Sequence, residues 1–167
     1  MKFMLPPDEL DCDLVYEFFW KFSVFECALK REGFLKGNPG KAAEPDWDRF
    51  GREVQGRFEQ VSVPGFDEAV AELLRLSPQQ QVVSTKNQLG WKPVERKEGE
   101  SDEAFILRLL KTSRNNLFHG GKYPEPDGPI DEIANNRSIL RAALTILEGC
   151  YEMHAGVKRR IDESTKQ

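Results

Sequence analysis

Long apolar runs are missing from this sequence of 167 residues, in which uninterrupted apolar stretches extend over only a few positions. Such stretches are too short to cross a bilayer, and the N-terminal segment lacks the apolar region of a secretory signal. Cysteine is also scarce, and none of Cys12, Cys27 and Cys150 belongs to a C-x-x-C pair. This odd number argues against a disulfide framework or a zinc site. We therefore expect a cytoplasmic protein whose cysteines act as small buried hydrophobic residues.

An excess of positive charge is missing as well. Lys and Arg together number 24 against 28 Asp and Glu, which gives a net charge of −4 and a pI near 5.4. Nucleic-acid-binding proteins generally carry a strong basic excess, so any such contact here must come from a local patch. One candidate lies between residues 104 and 122, where no carboxylate occurs and the cations are Arg108, Lys111, Arg114 and Lys122. The alternative is an ordinary solvated helix face.

Helical periodicity dominates the rest of the sequence. In residues 8–32, apolar side chains recur at steps of three or four, which predicts a long first helix that Gly33 ends. Asp46 is the predicted N-cap of a second helix, and Ser101 is that of a later one. A further helix is expected to begin near Phe66.

The remaining segments are shorter, apart from the last. Ser77 followed by Pro78 predicts the start of a short helix, because proline is tolerated at the first helical position. Residues 87–99 are expected to form an irregular loop that Trp91 pins to the body. A long final helix is predicted over residues 130–154. No segment of the sequence shows sustained alternation of period two, so no substantial strand is predicted.

The predicted fold is all-α, with two long helices, one medium helix and two or three shorter ones. The length suits one domain, which we place at residues 1–156. Residues 157–167 are predicted to form a charged C-terminal tail that frays. The sequence contains no internal repeat of the length found in solenoid proteins.

A cluster of polar residues lies at the end of the helix that Ser101 begins. It consists of Arg114, Asn115, Asn116 and His119, followed by two glycines. Adjacent asparagines are poor helix formers, which suggests a role beyond stability. Asn115 and His119 share a helix face, whereas Arg114 and His119 lie about 140° apart around the helix. Arg114 and His119 can meet only if the final turn of the helix is distorted, if the arginine side chain reaches around the helix, or if a second chain completes the site at a dimer interface.

The chemistry of this cluster suits phosphate. Histidine exchanges protons near neutral pH, and arginine presents a fixed cationic fork that matches phosphate oxygens. Asn115 can orient the imidazole or hold a phosphate oxygen. The only other histidine, His154, is far along the sequence, and no H-E-x-x-H motif occurs, so we expect no metal and no other cofactor.

These groups are the ones required when a ribose 2′-hydroxyl attacks its own phosphate, a reaction that requires RNA. Structural alternatives exist for both charged residues. The dipole of a helix favours a histidine at its C-terminus, so His119 has a simple reason to be there. Arg114, on a helix that packs in the core, can pair with a buried acid.

The segment 114–122, R-N-N-L-F-H-G-G-K, resembles the signature of HEPN domains (higher eukaryote and prokaryote nucleotide-binding). That signature is an arginine, usually followed by a polar residue, with a histidine a few positions on. Arg114, Asn115 and His119 match these three positions. The position of the segment, at the end of a helix and before Gly-Gly and a final long helix, is also similar.

The first helix is similar as well. Residues 22–30 resemble the first helix of uncharacterised bacterial HEPN-like proteins, in which a glutamate faces the motif helix, and Glu26 is the matching acid. A surface ion pair between Glu26 and Lys30, four residues on, is the alternative. The similarity extends to the Trp47 region and the last helix.

The resemblance implies an antiparallel helical bundle of about five to six helices, usually dimeric, in which two motifs meet in an interface cleft. Many such proteins are metal-independent endoribonucleases of toxin–antitoxin, phage-defence or RNA-processing systems, and others are inactive modules. One toxin subgroup carries a tyrosine two residues after the histidine. Here that position is Gly121 and the nearest tyrosine is Tyr123, which argues against membership of that subgroup.

The first hypothesis is a homodimeric endoribonuclease in which His119 is the general acid and base and Arg114 binds the scissile phosphate. Asn115 and Glu26 support them. The residues expected to contact RNA are Lys111, Asn116 and Lys122. The expected partners are RNA, a second copy of the chain, and an antitoxin or other partner protein. The second hypothesis is a non-catalytic HEPN module that binds a nucleotide, RNA or a partner protein, and the third is a pure dimerisation unit.

Overall fold

The computed structural model describes residues 11–83, 85, 87–118 and 131–164. Over these residues the helices are α1 (Cys12–Arg31), α2 (Trp47–Glu53), α3 (Phe66–Leu76), α4 (Asp102–Phe118), α5 (Asp131–Met153) and α6 (Ala155–Ser164). The strands form two antiparallel hairpins, β1 (Leu35–Lys36) with β2 (Glu44–Pro45) and β3 (Gln80–Val83) with β4 (Leu89–Lys92). A turn of 3₁₀ helix, Phe58–Gln60, precedes α3. The chain is mostly helical, as the periodicity predicted.

Helix α5 lies at the centre of the bundle and packs against α1, α3, α4 and α6, while α2 packs against α4. Aromatic side chains that are at most 2% exposed join α1 to α2, and they are Phe18, Phe22, Phe25, Phe34, Trp47 and Phe50. Helix α2 approaches α4 closely at Gly51, where an added Cβ would lie 3.3 Å from the Cα of Ala104. Within the described ranges, none of the helices has the length and apolar character that a bilayer crossing requires.

Several helix ends lie where the capping residues predicted them. The Asp46 carboxylate accepts a hydrogen bond from the Arg49 N–H at 3.0 Å, and the Ser101 hydroxyl accepts one from the Ala104 N–H at 3.2 Å. Helix α1 stops just before Gly33, whose φ of +93° costs a glycine little. These three predictions are confirmed, and two of the caps begin α2 and α4, which contribute to the candidate site.

The segment after α3 is a hairpin, so the short helix predicted from Ser77 and Pro78 is wrong. Ser77 ends α3 in a left-handed conformation with φ of +40°, and β3 then pairs with β4, with Gln81 opposite Trp91. The hairpin escaped prediction because neither of its faces is fully buried; Val83, for example, is 76% exposed. Trp91 is 41% exposed, so the prediction that it pins an irregular loop to the body is also wrong.

The prediction of a frayed tail is wrong as far as Ser164, because α6 packs against α1. Val157 is fully buried, and the Arg160 guanidinium donates to the Glu32 carboxylate at 3.0 Å. A break at His154 separates α6 from α5, so the single predicted final helix is two helices. The described part of the predicted tail, up to Ser164, is therefore part of the folded domain.

The three cysteines differ in exposure. Cys150 is buried in α5, as predicted, and burial raises the pKa of its thiol to about 12. Cys27 is half-buried in α1. Cys12, at the start of α1, is exposed, so the prediction of a buried residue is wrong there.

Candidate functional site

The carboxylate of Glu26 links three helices. Glu26 lies on α1, one turn after Phe22, with a side chain that is 17% exposed. Its Oε1 accepts a hydrogen bond from the indole N–H of Trp47 at 3.0 Å, and its Oε2 accepts one from Nη2 of Arg114 at 3.3 Å. Glu26 therefore faces α4, and among the described residues it binds Trp47 on α2 and Arg114 on α4 rather than the alternative, Lys30.

The indole that binds Glu26 is itself held firmly. Trp47 is the first residue of α2 and only 2% exposed. Its ring stacks on Phe25 at a centroid distance of 5.4 Å and lies 5.3 Å from the ring of Phe22. A buried indole N–H requires an acceptor, and Glu26 supplies it. The carboxylate thus has a rigid support on one side and a cation on the other.

Arg114 reaches from the last turns of α4 towards α1. Besides Glu26, its guanidinium donates to Oδ1 of Asn115 at 3.0 Å, and its Cζ lies 5.6 Å from the centre of the Phe22 ring. An acid, an amide and an aromatic ring therefore hold the side chain, of which 33% remains exposed. The pairing with an acid agrees with the structural alternative, but the exposed part of the planar fork can still bind a phosphate.

The two asparagines after Arg114 have different surroundings. Asn115 is exposed, whereas Asn116 is 5% exposed and its amide donates to the backbone carbonyl of Gln79 at 2.7 Å. This bond ties α4 to the segment that leads into β3. The amide of Asn116, predicted to contact RNA, thus serves the fold, while that of Asn115 is accessible.

His119 and Lys122, two of the predicted site residues, lie outside the described residues. The second histidine has a structural role. Nδ1 of His154 accepts the N–H of Val157 at 3.2 Å and so caps α6, and its Nε2 lies 2.9 Å from a carboxylate oxygen of Glu53. Because Nδ1 accepts a hydrogen bond, we assign the proton of the ring to Nε2, which donates to Glu53.

The basic patch predicted on α4 is largely neutralised by carboxylates from other parts of the chain. Arg108 forms a bidentate pair with Glu100, at 2.6 and 2.8 Å, and the Glu100 side chain is only 8% exposed. Arg114 pairs with Glu26. Of the three patch cations that the structure describes, Lys111 alone forms no salt bridge with a described carboxylate. Two of the three described cations of the patch are therefore paired with carboxylates that lie outside residues 104–122.

A cavity of about 370 Å³ opens beside this site, between the β3–β4 hairpin and α4. Seven of its eight lining residues have polar side chains, and the lining consists of Gln80, Gln81, Val94, Arg108, Lys111, Thr112, Asn115 and Asn116. Asn115 belongs both to this cavity and to the hydrogen bonds of Arg114. The candidate site is therefore larger than the motif, and the hairpin forms one of its walls.

Sequence reasoning missed two parts of this arrangement. The bond of Trp47 to Glu26 was not predicted, because it joins two helices that are distant in the sequence. The glutamines of the cavity were also missed. The run Gln79 to Gln81 gives no warning of a hairpin, because glutamine is a good helix former.

Among the residues that the structure describes, no three His, Cys, Asp or Glu side chains could together hold a metal ion. The described part of the site offers a guanidinium fixed by an acid, an accessible amide and a lysine, a combination that can bind phosphate. No protein-family model, curated protein or solved structure matches the chain.

Proposed function

We propose that this protein is a HEPN-like endoribonuclease that cleaves RNA without a metal ion. The observation that carries the proposal is the Glu26–Arg114 pair, which holds a partly exposed guanidinium near the end of α4, five residues before His119. A cation fixed in this way can stabilise the charge that develops on phosphorus, because it needs little reorganisation during the reaction. The resemblance of residues 114–122 to the HEPN signature supports the same assignment.

In the proposed reaction, the imidazole of His119 removes the proton of a ribose 2′-hydroxyl, and the oxygen attacks the adjacent phosphorus. The bond from phosphorus to the 5′-oxygen breaks, and this oxygen takes up a proton from the imidazolium. The products are a 2′,3′-cyclic phosphate and a 5′-hydroxyl end. Arg114 binds a non-bridging phosphate oxygen, while Glu26 and Asn115 fix the position of its guanidinium.

We further propose that the chain acts as a homodimer with the two sites near its interface. Helix α1 exposes Tyr16, Phe19 and Trp20, which are 65%, 39% and 58% exposed. Monomers seldom expose large contiguous apolar patches. Phe19 lies one turn before Phe22, the ring that contacts Arg114, so a second chain on this face would come close to the site.

Sedimentation velocity tests this assembly. We expect the parent protein to sediment as a dimer and Trp20→Glu as a folded monomer with unchanged helical content. The exposed Val83 of the hairpin provides a control, because Val83→Glu should remain dimeric. A parent protein that sediments as a monomer at all concentrations tested would contradict the dimer.

A gel assay in excess EDTA tests the nuclease itself. The parent protein should release fragments with 2′,3′-cyclic phosphate ends from tRNA or total RNA, whereas Arg114→Ala and His119→Ala should release none while keeping their helical content. Arg75→Ala is the control, because Arg75 forms an exposed pair with Glu72 on α3 and should leave cleavage unchanged. Cleavage by His119→Ala at the rate of the parent would overturn the mechanism.

The biological role that we propose is that of a toxin or phage-defence effector acting on RNA in the cytoplasm. Expression of the parent protein in bacterial cells should then arrest growth, and expression of His119→Ala should not. Equal growth with the two proteins, at equal expression, would contradict a toxin that acts through cleavage.

A non-catalytic binding module is the second candidate, and the neutralised patch favours it. The pairing of Arg108 with Glu100 and of Arg114 with Glu26 leaves little free positive charge on the described part of α4. In this case the parent protein would bind RNA, a nucleotide or a partner protein without producing fragments. Binding to RNA through phosphates should weaken steeply with salt, whereas an apolar protein interface should not.

A further inference from the structure

The polar cavity between the β3–β4 hairpin and α4 has the features of a binding site. Its volume of about 370 Å³ lies in the range of sites that accept small molecules. Two separate elements form its walls, the glutamines of β3 and a polar face of α4 that carries Lys111. Val94, which is 8% exposed, is the apolar residue among those that line it.

Some of the polar lining groups hold the cavity in shape. The guanidinium of Arg108 is fixed by Glu100 at 2.6 Å, and the hydroxyl of Thr112 donates to the Arg108 carbonyl at 2.9 Å. The amide of Asn116 is bound to the carbonyl of Gln79. These bonds fix side chains of the α4 wall and the entry into β3.

Other polar groups are available to a ligand. In the part of the chain that the structure describes, the side chains of Gln80, Gln81 and Lys111 form no hydrogen bond or salt bridge with the protein. An amide group both donates and accepts, and the lysine adds a positive charge. Asn115 completes this set and accepts a hydrogen bond from Arg114 at 3.0 Å. The cavity therefore adjoins the proposed phosphate-binding arginine directly.

We propose that this cavity binds the unpaired nucleotide next to the cleaved bond and selects its base, an inference that rests on the proposed function for the position of that bond. Because Asn115 is shared, a strand with its phosphate on Arg114 brings the neighbouring base towards Gln80 and Gln81. Amide side chains recognise bases through paired donor and acceptor bonds to the base edge. Lys111 binds the next phosphate along the strand.

The substrate class that follows is single-stranded RNA with one preferred base beside the cut. A base in a duplex is stacked and paired, so it cannot turn its Watson–Crick edge into a cavity. Loops, bulges and ends of folded RNA present such bases. The described cavity lining contains no aromatic ring, so hydrogen bonds to the amides, rather than stacking, must supply the selection.

Binding can be measured apart from cleavage with fluorescein-labelled 2′-O-methyl RNA dodecamers, because a blocked 2′-oxygen cannot attack. The probes are repeats of A, of C and of U, and an alternating GU sequence. We expect the parent protein to bind one of them about tenfold more tightly than the weakest. Gln80→Ala combined with Gln81→Ala should bring all four affinities within about twofold of one another.

Lys111→Met should weaken all four complexes by a similar factor and reduce the slope of log affinity against log salt by about one. Matched controls are Gln60→Ala and Lys41→Met, which change exposed side chains that do not line the cavity and should retain the selectivity of the parent. Equal binding of all probes by the parent, no binding at all, or undiminished selectivity in the double glutamine variant would each overturn the proposal.

The same variants separate this proposal from the nuclease assignment. Suppose that the parent protein cleaves RNA in EDTA and that the double glutamine variant cleaves with the same base preference. The nuclease assignment then stands, and the proposal of a base-selecting cavity is overturned. Suppose instead that the parent protein does not cleave but binds selectively, and that replacing Gln80 and Gln81 removes the selectivity. The base-binding cavity is then supported, and the nuclease assignment is overturned.

Discussion

The Glu26 carboxylate and the Arg114 guanidinium lie 3.3 Å apart although 88 positions separate them in the sequence. The pair joins α1 to α4 and is partly buried, with side chains that are 17% and 33% exposed. Removing one partner from such a pair leaves the other charge partly desolvated, which costs more than breaking an exposed pair. The pair should therefore affect stability as well as the proposed activity.

Glu26→Gln should lower the free energy of unfolding by about 1–2 kcal/mol. The amide can still accept from Trp47, so the loss reports mainly the interaction with Arg114. Under the proposed function, the cleavage rate should also fall by about tenfold or more, because the guanidinium loses its fixed position. Urea titrations and initial rates measure the two effects.

Glu72→Gln is the control for this variant, because Glu72 forms an exposed pair with Arg75 on α3. It should unfold at the urea concentration of the parent and cleave at the same rate. If the Glu26 and Glu72 variants are equally stable, partial burial does not increase the contribution of the Glu26–Arg114 pair to the free energy of unfolding.

Gly149 allows α5 to approach α3. A Cβ added at Gly149 would overlap the ring of Phe66, which is 3% exposed and cannot easily move. Gly149→Ala should therefore destabilise the protein by roughly 1–3 kcal/mol, although alanine favours a helix over glycine by about 1 kcal/mol. Thermal and urea unfolding measure the change.

Gly156→Ala provides the comparison, because its added Cβ would meet the carboxylate end of the Glu32 side chain, which can shift more easily than a buried ring. This variant should lose less stability than Gly149→Ala. The reverse order would mean that the Phe66 ring adjusts at low cost and that α3 and α5 are less tightly packed than the structure indicates.

Much of the helical fold could be predicted because its signals are local. The face of α1 that contains Phe22 and Glu26 follows from the helical period, and the starts at Asp46 and Ser101 follow from side chains that cap their own helices. The packing of α6 could not be predicted in this way. Its sequence is highly charged, as in a solvated C-terminal tail. The helix is held by tertiary contacts, such as that of Arg160 with Glu32, which the local sequence does not indicate.

The pairing of Arg108 with Glu100 could not be predicted for a similar reason. A count over residues 104–122 finds cations alone, but Glu100 lies just outside this window and Glu26 is on another helix. Arg114 was identified from the motif, and Glu26, the acid that faces it, from the resemblance. The glutamine wall was missed because it belongs to a hairpin whose two faces are both partly exposed.

The cysteines should differ in their reaction with iodoacetamide. Cys12 is exposed and should be alkylated first in the native protein, whereas Cys150 is buried and has a pKa raised to about 12 by that burial. Since the thiolate is the reactive form, Cys150 should resist alkylation at pH 8 until urea unfolds the chain. Peptide mass spectrometry at increasing times measures each site. Rapid labelling of Cys150 in the native protein would show that the centre of α5 opens readily.

Glu100 should make the cavity wall sensitive to acid. Burial alone would raise the pKa of its carboxyl, but hydrogen bonds from Arg108 and the Lys97 backbone, with the nearby positive charges, outweigh this effect and lower it. The pKa of this carboxyl is 4.5 in the unfolded chain and lower in the folded protein. Its ionised form therefore stabilises the fold at pH values above 4.5, and this contribution is lost as the pH falls through the folded pKa. The salt bridge that fixes Arg108 should therefore weaken at acid pH.

Glu100→Gln removes this titration, so the gap in stability between the parent and the variant should be large at pH 7 and should narrow as pH falls below 4.5. Urea midpoints of both proteins across this range measure the gap. The other carboxyl groups titrate in both proteins, so their contributions to stability cancel in the difference. Glu98→Gln, at an exposed neighbouring position, is the control and should leave the urea midpoint at pH 7 close to that of the parent. A gap for Glu100→Gln that is constant with pH would mean that its charge does not hold Arg108. The cavity wall would then depend on packing, and base selection at the proposed site should persist under acid conditions.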